Sequence, residues 1–141
     1  MSFLSFFRKS KNVSTIALSG IIAPNMGRRK GLNLYELDKV IEQAFSVSNL
    51  KAVALQINSP GGSPVQSEMI SARIRDLSED KNIPVLAFVE DVAASGGYWL
   101  ACAADEIFAS KASIIGSIGV VSSGFGFDKA IKKIGVDRRL Y

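Results

Sequence analysis

Histidine is absent from all 141 residues, and one cysteine, Cys102, stands alone. Without an imidazole, no Ser-His-Asp or Cys-His mechanism can be completed inside this chain. A single thiol makes no internal disulfide, so the fold stands on its apolar core and a reducing compartment is the simpler expectation. The same scarcity leaves only an all-carboxylate metal site open, and neither a metal nor a cofactor is expected. No apolar run reaches the length of about eighteen residues that a membrane-spanning helix needs. Charge of one sign is scarce too. Seventeen basic residues face thirteen acidic ones, a net +4, and the excess sits at the ends, in Arg8, Lys9 and Lys11 and in Lys132, Lys133, Arg138 and Arg139. A nucleic-acid surface would cluster such residues among aromatic platforms, so nucleic acid is set aside as a partner.

The start, Met1 to Lys9, places its apolar residues before its basic ones, the reverse of a secretory signal. A short interfacial anchor giving peripheral membrane association is one reading; a frayed terminus is the preferred one. Residues 1–12 are therefore set apart as a flexible segment. The rest, 48% apolar over the whole chain with four prolines and twelve glycines, reads as one domain over 13–141.

Strands and helices alternate along it. Val13–Ser19 is β-branched and aliphatic and ends at Gly20, a first strand. After a loop around 24–31, Leu34, Leu37, Val40, Ile41, Ala44 and Phe45 recur at helical spacing, with Asn33 as N-cap and Glu36 placed to reach back to it. Ala52–Ile57 is a short continuous apolar run, which suits a strand covered on both faces. It ends at Pro60-Gly61-Gly62. Ser63, Pro64 and Gln66 then form a capping box with proline at the first helical position, and the helix presents Val65, Met69, Ile70, Ile74 and Leu77 on one face. Ile83–Val89 is another buried strand, Ala93–Gly97 a small-residue turn, and Tyr98–Ala104 an apolar helix. Glu106–Ala109 and Ile118–Val121 read as short strands, and Asp128–Ile134 as a helix stopped by Gly135. Such alternation implies an α/β fold of βαβ units around a mostly parallel sheet flanked by helices, with ligands at the carboxyl ends of the strands.

Two glycine turns, Gly61-Gly62 and Gly96-Gly97, each follow a buried strand and open a helix. Both bring free backbone N–H groups to that edge, the outline of an oxyanion hole. Either pair alone is equally a tight βα turn. Ser95 stands at the first turn of an apolar helix, where its plain role is an N-cap and its chemical role a nucleophile.

Four blocks decide between these readings: Ile57-Asn58-Ser59-Pro60-Gly61-Gly62-Ser63, Asp91-Val92-Ala93-Ala94-Ser95-Gly96-Gly97-Tyr98, Ala103-Ala104-Asp105-Glu106-Ile107-Phe108-Ala109 and Gly116-Ser117-Ile118-Gly119-Val120. In this order and spacing they resemble the signal-peptide-peptidase A family of serine peptidases. The resemblance implies a ClpP/crotonase-like fold, a Ser-Lys dyad, and hydrolysis of signal peptides or other small hydrophobic peptides by a homo-oligomer. It makes Ser95 the nucleophile, Gly62 and the N–H of Gly96 the oxyanion donors, and Ser117 the hydrogen-bond partner of the lysine ammonium. The family lysine falls beyond Tyr141, so the domain is expected to be truncated at its C-terminal end and this chain to be inactive alone. A cytoplasmic location, or the cytoplasmic membrane surface of a bacterium, follows from the same resemblance. Two rivals share the fold: a crotonase-like acyl-CoA enzyme, for which Glu90 and Asp91 are the nearest candidate bases, and a non-catalytic membrane-associated scaffold.

Overall fold

The computed structural model describes residues 11–25, 31–119 and 126–135. Strands β1 (Asn12–Ser19), β2 (Leu50–Ser59), β3 (Val85–Ala94) and β4 (Glu106–Ala109) lie side by side in that order, all parallel, and β5 (Ile114–Gly116) pairs with the far end of β3. Helices α1 (Leu34–Phe45), α2 (Pro64–Lys81) and α3 (Gly96–Ala101) connect them, and α4 (Asp128–Lys133) follows β5. The expected α/β architecture is therefore present, including the 3.6-residue and continuous-run signals that assigned helices and strands.

One face of the sheet carries the core. Ile16, Leu18, Val53, Leu55, Ile57, Val85, Ala87 and Val89 pack under the helices, where Ile41, Phe45, Ile70, Ile74 and Leu100 meet them. Burying each of the larger aliphatic side chains contributes about 1.5–3 kcal/mol. The other face is not covered by the described residues. On it Phe88 stacks on Phe108 with ring centroids 5.2 Å apart, and both rings are exposed. The expectation that β2 is covered on both faces is thus corrected, since Gln56 is exposed and Ala52, Ala54 and Asn58 are half-buried.

The helix caps form in half. Asn33 accepts the N–H of Glu36, but the Glu36 carboxylate takes the Asn25 amide at 2.9 Å instead of returning to the cap. Likewise Ser63 accepts from Gln66, while the Gln66 side chain accepts the N–H of Leu34 at 2.9 Å and so ties α2 to the start of α1. The buried face of α2 is only partly the expected one, for it keeps Ile70, Ile74 and Leu77 but not Met69. Val65 is 64% exposed, and Ser67, Ser71 and Ser78 turn inward beside Ile70, Ile74 and Leu77. A serine hidden this way bonds its own backbone neighbourhood, as Ser67 does to the Ser63 carbonyl and Ser78 to that of Ile83, both at 2.8 Å. Its small volume lets α2 come close to α3. The fifth predicted strand is displaced: β5 is Ile114–Gly116, Ile118 and Gly119 carry no strand, and Val120 and Val121 lie outside the described residues, as do residues 1–10.

Asp105 locks the entrance to β4. One carboxylate oxygen accepts the N–H of Val85 at 2.8 Å and the other the Arg75 guanidinium at 2.9 Å. The Val85 N–H first, and Arg75 next, hold its carboxyl below the ordinary value. A depressed carboxylate contributes stability that is present above the unfolded-state value and is lost as pH falls through the folded one. The urea midpoint of the parent is therefore expected to drop from about pH 5 to about pH 3, and that of Asp105→Asn to drop less. Equal slopes for the two proteins would remove Asp105 from the acid response.

Candidate active site

β3 changes partner on its way to the site. Residues Leu86–Val89 pair with β4, and Val92–Ala94 pair with β5. Between the pairs Ile57–Val89 and Ser59–Ala93, four steps along β3 face two along β2, so Glu90–Val92 form a bulge that bends the strand end. The strand stops at Ser95, whose N–H donates to the Gly116 carbonyl at 2.7 Å.

Ser95 has φ +52° and ψ −119°. This is the mirror image of the first central position of a type II turn, a conformation normally left to glycine. Holding a serine there costs about 1–3 kcal/mol and persists only where the surroundings impose it. The plain reading of Ser95 as an N-cap fails, because its side chain makes no cap hydrogen bond. What the strained turn achieves is a sharp exit from β3 into α3 with a half-buried hydroxyl unspent at the corner.

The two glycine turns meet beneath it. Gly61, at φ +97°, has no room for a side chain: a Cβ there would lie 2.8 Å from the Gly96 nitrogen and 2.9 Å from the Ser95 Cβ. Gly62, at φ +147°, would drive a Cβ into the Ile22 carbonyl. The Gly62 nitrogen is 3.4 Å from where a Cβ on Gly96 would stand. The N–H groups of Gly62 and Gly96 therefore sit next to one another, and neither has an acceptor among the described residues. Gly116 and Ser117 complete the surround, Ser117 at φ +53° with an exposed side chain.

A cleft of about 320 Å³ opens on this point. Gly62, Ser95 and Gly96 form its floor, and Tyr98, Trp99, Cys102 and Ile118 its walls. The walls are apolar except for the phenol of Tyr98, which the Cys102 thiol one helical turn away pushes above its ordinary value. No lysine lines the cleft among the described residues. Glu90 and Asp91 do not line it either; they hold the Gln56 and Asn58 amides at 2.6 and 3.0 Å. No group of histidine, cysteine or carboxylate side chains suited to a metal exists among the described residues.

All four residues singled out in the sequence, Ser95, Gly62, Gly96 and Ser117, thus lie around one corner of the fold. The aromatic walls were not foreseen. Tyr98 and Cys102 stand four residues apart just after the serine, so the helical period placed them on one side of α3, but nothing in their spacing tells a cleft wall from a core face.

Residues 78–141 match peptidase family S49. A signal peptide peptidase SppA of Enterococcus faecium is 31% identical over 140 residues, 94% of this chain and 39% of that protein. A Na(+)/H(+) antiporter NhaA of Brucella melitensis is 51% identical over 130 residues, 92% of this chain and 18% of that protein. The latter's name describes the longer protein, and no helix among the described residues here is long and apolar enough to cross a membrane. A solved membrane-bound stomatin-specific protease superposes with TM-score 0.57 at 21% identity, over 89% of this chain and 60% of that one. The fold is ClpP/crotonase-like. The chain spans well under half the length of these two sequence relatives. With the family match running from the end of α2 through the Ser95 turn, and a signal peptide peptidase aligned over nearly all of it, the chain belongs to peptidase family S49, in its signal-peptide-peptidase A type.

Proposed function

We propose that this chain supplies the nucleophile and the oxyanion donors of a serine endopeptidase that cleaves signal peptides or other small hydrophobic peptides. The observation that carries the reading is the Ser95 turn, a strained corner whose hydroxyl faces an apolar cleft beside two adjacent N–H groups that have no acceptor among the described residues. In the first step the Ser95 Oγ bonds to the scissile carbonyl carbon while its proton passes to a base. The carbonyl electron pair moves onto an oxygen held by the Gly62 and Gly96 N–H groups, and each such donor lowers the barrier by about 3–4 kcal/mol. The C–N bond then breaks as the proton passes to the leaving amine, and water repeats the sequence on the acyl-enzyme. Trp99 and Ile118 suit the cleft to an apolar side chain of the substrate.

The base is a lysine from the segment following Tyr141, its ammonium held by the Ser117 hydroxyl and its pKa lowered by an apolar surround. The domain that begins at residue 13 continues into that segment. The exposed Phe88 and Phe108 face, together with Ile114, is covered by the rest of the domain and by neighbouring subunits of an oligomer. An acyl-CoA enzyme of the same fold is disfavoured, because the two carboxylates nearest the glycine turns hold amides outside the cleft.

A peptidase assay comparing the purified 141-residue chain with the longer protein tests the placing of the base. The short chain is expected to stay at background and the longer protein to turn over. Hydrolysis by the short chain that disappears in Ser95→Ala would instead make Lys111, Lys129, Lys132 or Lys133 the base.

A further inference from the structure

Ser59 ends β2 and is completely buried, at 0% exposure. In front of Pro60-Gly61-Gly62 it reads as an ordinary turn residue, yet its hydroxyl is used twice. It donates to the Gly20 carbonyl at 2.7 Å and accepts the Gly61 N–H at 3.1 Å. The first bond joins the end of β1 to the turn; the second fixes the peptide plane entering Gly61. Ile22 fixes the next plane, since its N–H donates to the Gly61 carbonyl at 2.9 Å. In a trans peptide the N–H points opposite to the carbonyl, so the Gly62 N–H is turned away from Ile22. Ser59 also bounds the other half of the site: a Cβ on Gly97 would run into the Ser59 carbonyl and stand 3.1 Å from its Cβ.

We infer that Ser59 is a positioning residue for acyl transfer, its hydroxyl holding the plane that enters Gly61 and so, together with the Ile22 bond to the next plane, setting the aim of the Gly62 N–H relative to Ser95 and the Gly96 N–H. The inference rests on the peptidase reading above. Two successive glycines at positive φ have many conformations open to them, and with the Ile22 bond as the sole restraint the turn can still pivot about Gly61 and tilt the donor out of the site. The Ser59 hydroxyl is a directional restraint that uses both its donor and its acceptor capacity. Alanine at this position would leave the Gly20 carbonyl and the Gly61 N–H without their partner and free the first of the two planes.

The test uses the longer protein with Ser59→Ala and Ser59→Cys, the thiol being a weaker donor than the hydroxyl. The measurements are kcat, KM, the melting temperature, and the affinities of a peptide boronate and of a non-covalent product peptide. The boronate adduct on serine sets an oxygen against the two N–H groups, and the product peptide does not. In Ser59→Ala, kcat is expected to fall about 10- to 100-fold with KM within about twofold, as for a misplaced donor. Boronate affinity falls in parallel, product affinity holds, and Ser59→Cys lies between alanine and the parent. A folded Ser59→Ala protein with kcat within about twofold of the parent, whatever its melting temperature, overturns the inference. If the alanine variant does not fold, a parental kcat in Ser59→Cys overturns it in the same way. Ser95→Ala measured alongside separates the two layers. Activity surviving Ser95→Ala rejects the peptidase reading itself, whereas activity lost there but kept in Ser59→Ala rejects only the role of Ser59.

Discussion

Ser95→Ala in the longer protein is expected to reduce peptide hydrolysis by on the order of 10³-fold or more while leaving the fold and its stability intact. The size of the loss follows from the mechanism, since no acyl-enzyme forms without the hydroxyl and only the oxyanion donors and substrate binding remain. The unchanged stability follows from the turn. An N-cap serine stabilises its helix by about 1 kcal/mol, but the Ser95 side chain makes no cap bond, and alanine inherits the same φ of +52°. Steady-state hydrolysis and a thermal melt followed by circular dichroism give both numbers. Turnover retained by a purified Ser95→Ala protein with a parental melt would remove Ser95 from the chemistry, and a large drop in melting temperature would restore it as a cap.

Gly62→Ala is the second large effect, and the geometry locates its cause. The added methyl group points into the backbone carbonyl of Ile22, which is itself held by the Ser63 N–H at 2.7 Å. A carbonyl fixed on both sides does not yield as a flexible side chain would, and φ +147° adds strain for any residue with a Cβ. The variant is expected to lose about 1–3 kcal/mol of stability and, by swinging the Gly62 donor away, about 10²-fold or more in kcat/KM. Denaturant unfolding and steady-state kinetics measure the two. Unaltered kcat/KM would make this turn purely structural. The obstruction lies on the side of Ile22, so steric exclusion of the scissile carbonyl is not required to explain a loss.

Most of the fold was legible because its signals are local and strong. The run Ala52–Ile57 and the periodic apolar residues from Leu34 to Phe45 each left one choice of element. The failures share a cause. Val65 and Met69 belong to the expected face by hydrophobicity, whereas the face of α2 that meets α3 is selected by size, so Ser67 occupies it against Gly96. The half-made capping boxes show the same thing: Glu36 and Gln66 found better partners in residues far along the chain, which no local motif reveals. β5 slipped because Ile114-Ile115 and Ile118 are equally strand-like in isolation, and only pairing with Val92–Ala94 separates them.

The site divides similarly. Ser95, Gly62, Gly96 and Ser117 were identified by resemblance, and the structure adds the reason that they converge, which is the bulged end of β3 and the two glycine turns packed against each other. The positive φ of a serine has no signature in composition, and one of the two bonds of Ser59 depends on Gly20, thirty-nine positions earlier. Such a role is written in three-dimensional closure and was invisible beforehand.

The Gly116 carbonyl that receives the Ser95 N–H is made twenty-one residues after the serine, and the Gly20 and Ile22 groups that fix the Gly61-Gly62 turn are made about forty residues before that turn. In a growing polypeptide the corner therefore has no stable form until β5 has been synthesised and laid against β3. Contacts of such wide sequence separation form late, after the loop-closure entropy of the intervening chain has been met. A nascent or partly unfolded copy consequently holds Ser95 and the glycine amides apart from one another. The bond to the Gly116 carbonyl thus ties the geometry of the Ser95 corner to the completed pairing of β3 with β5.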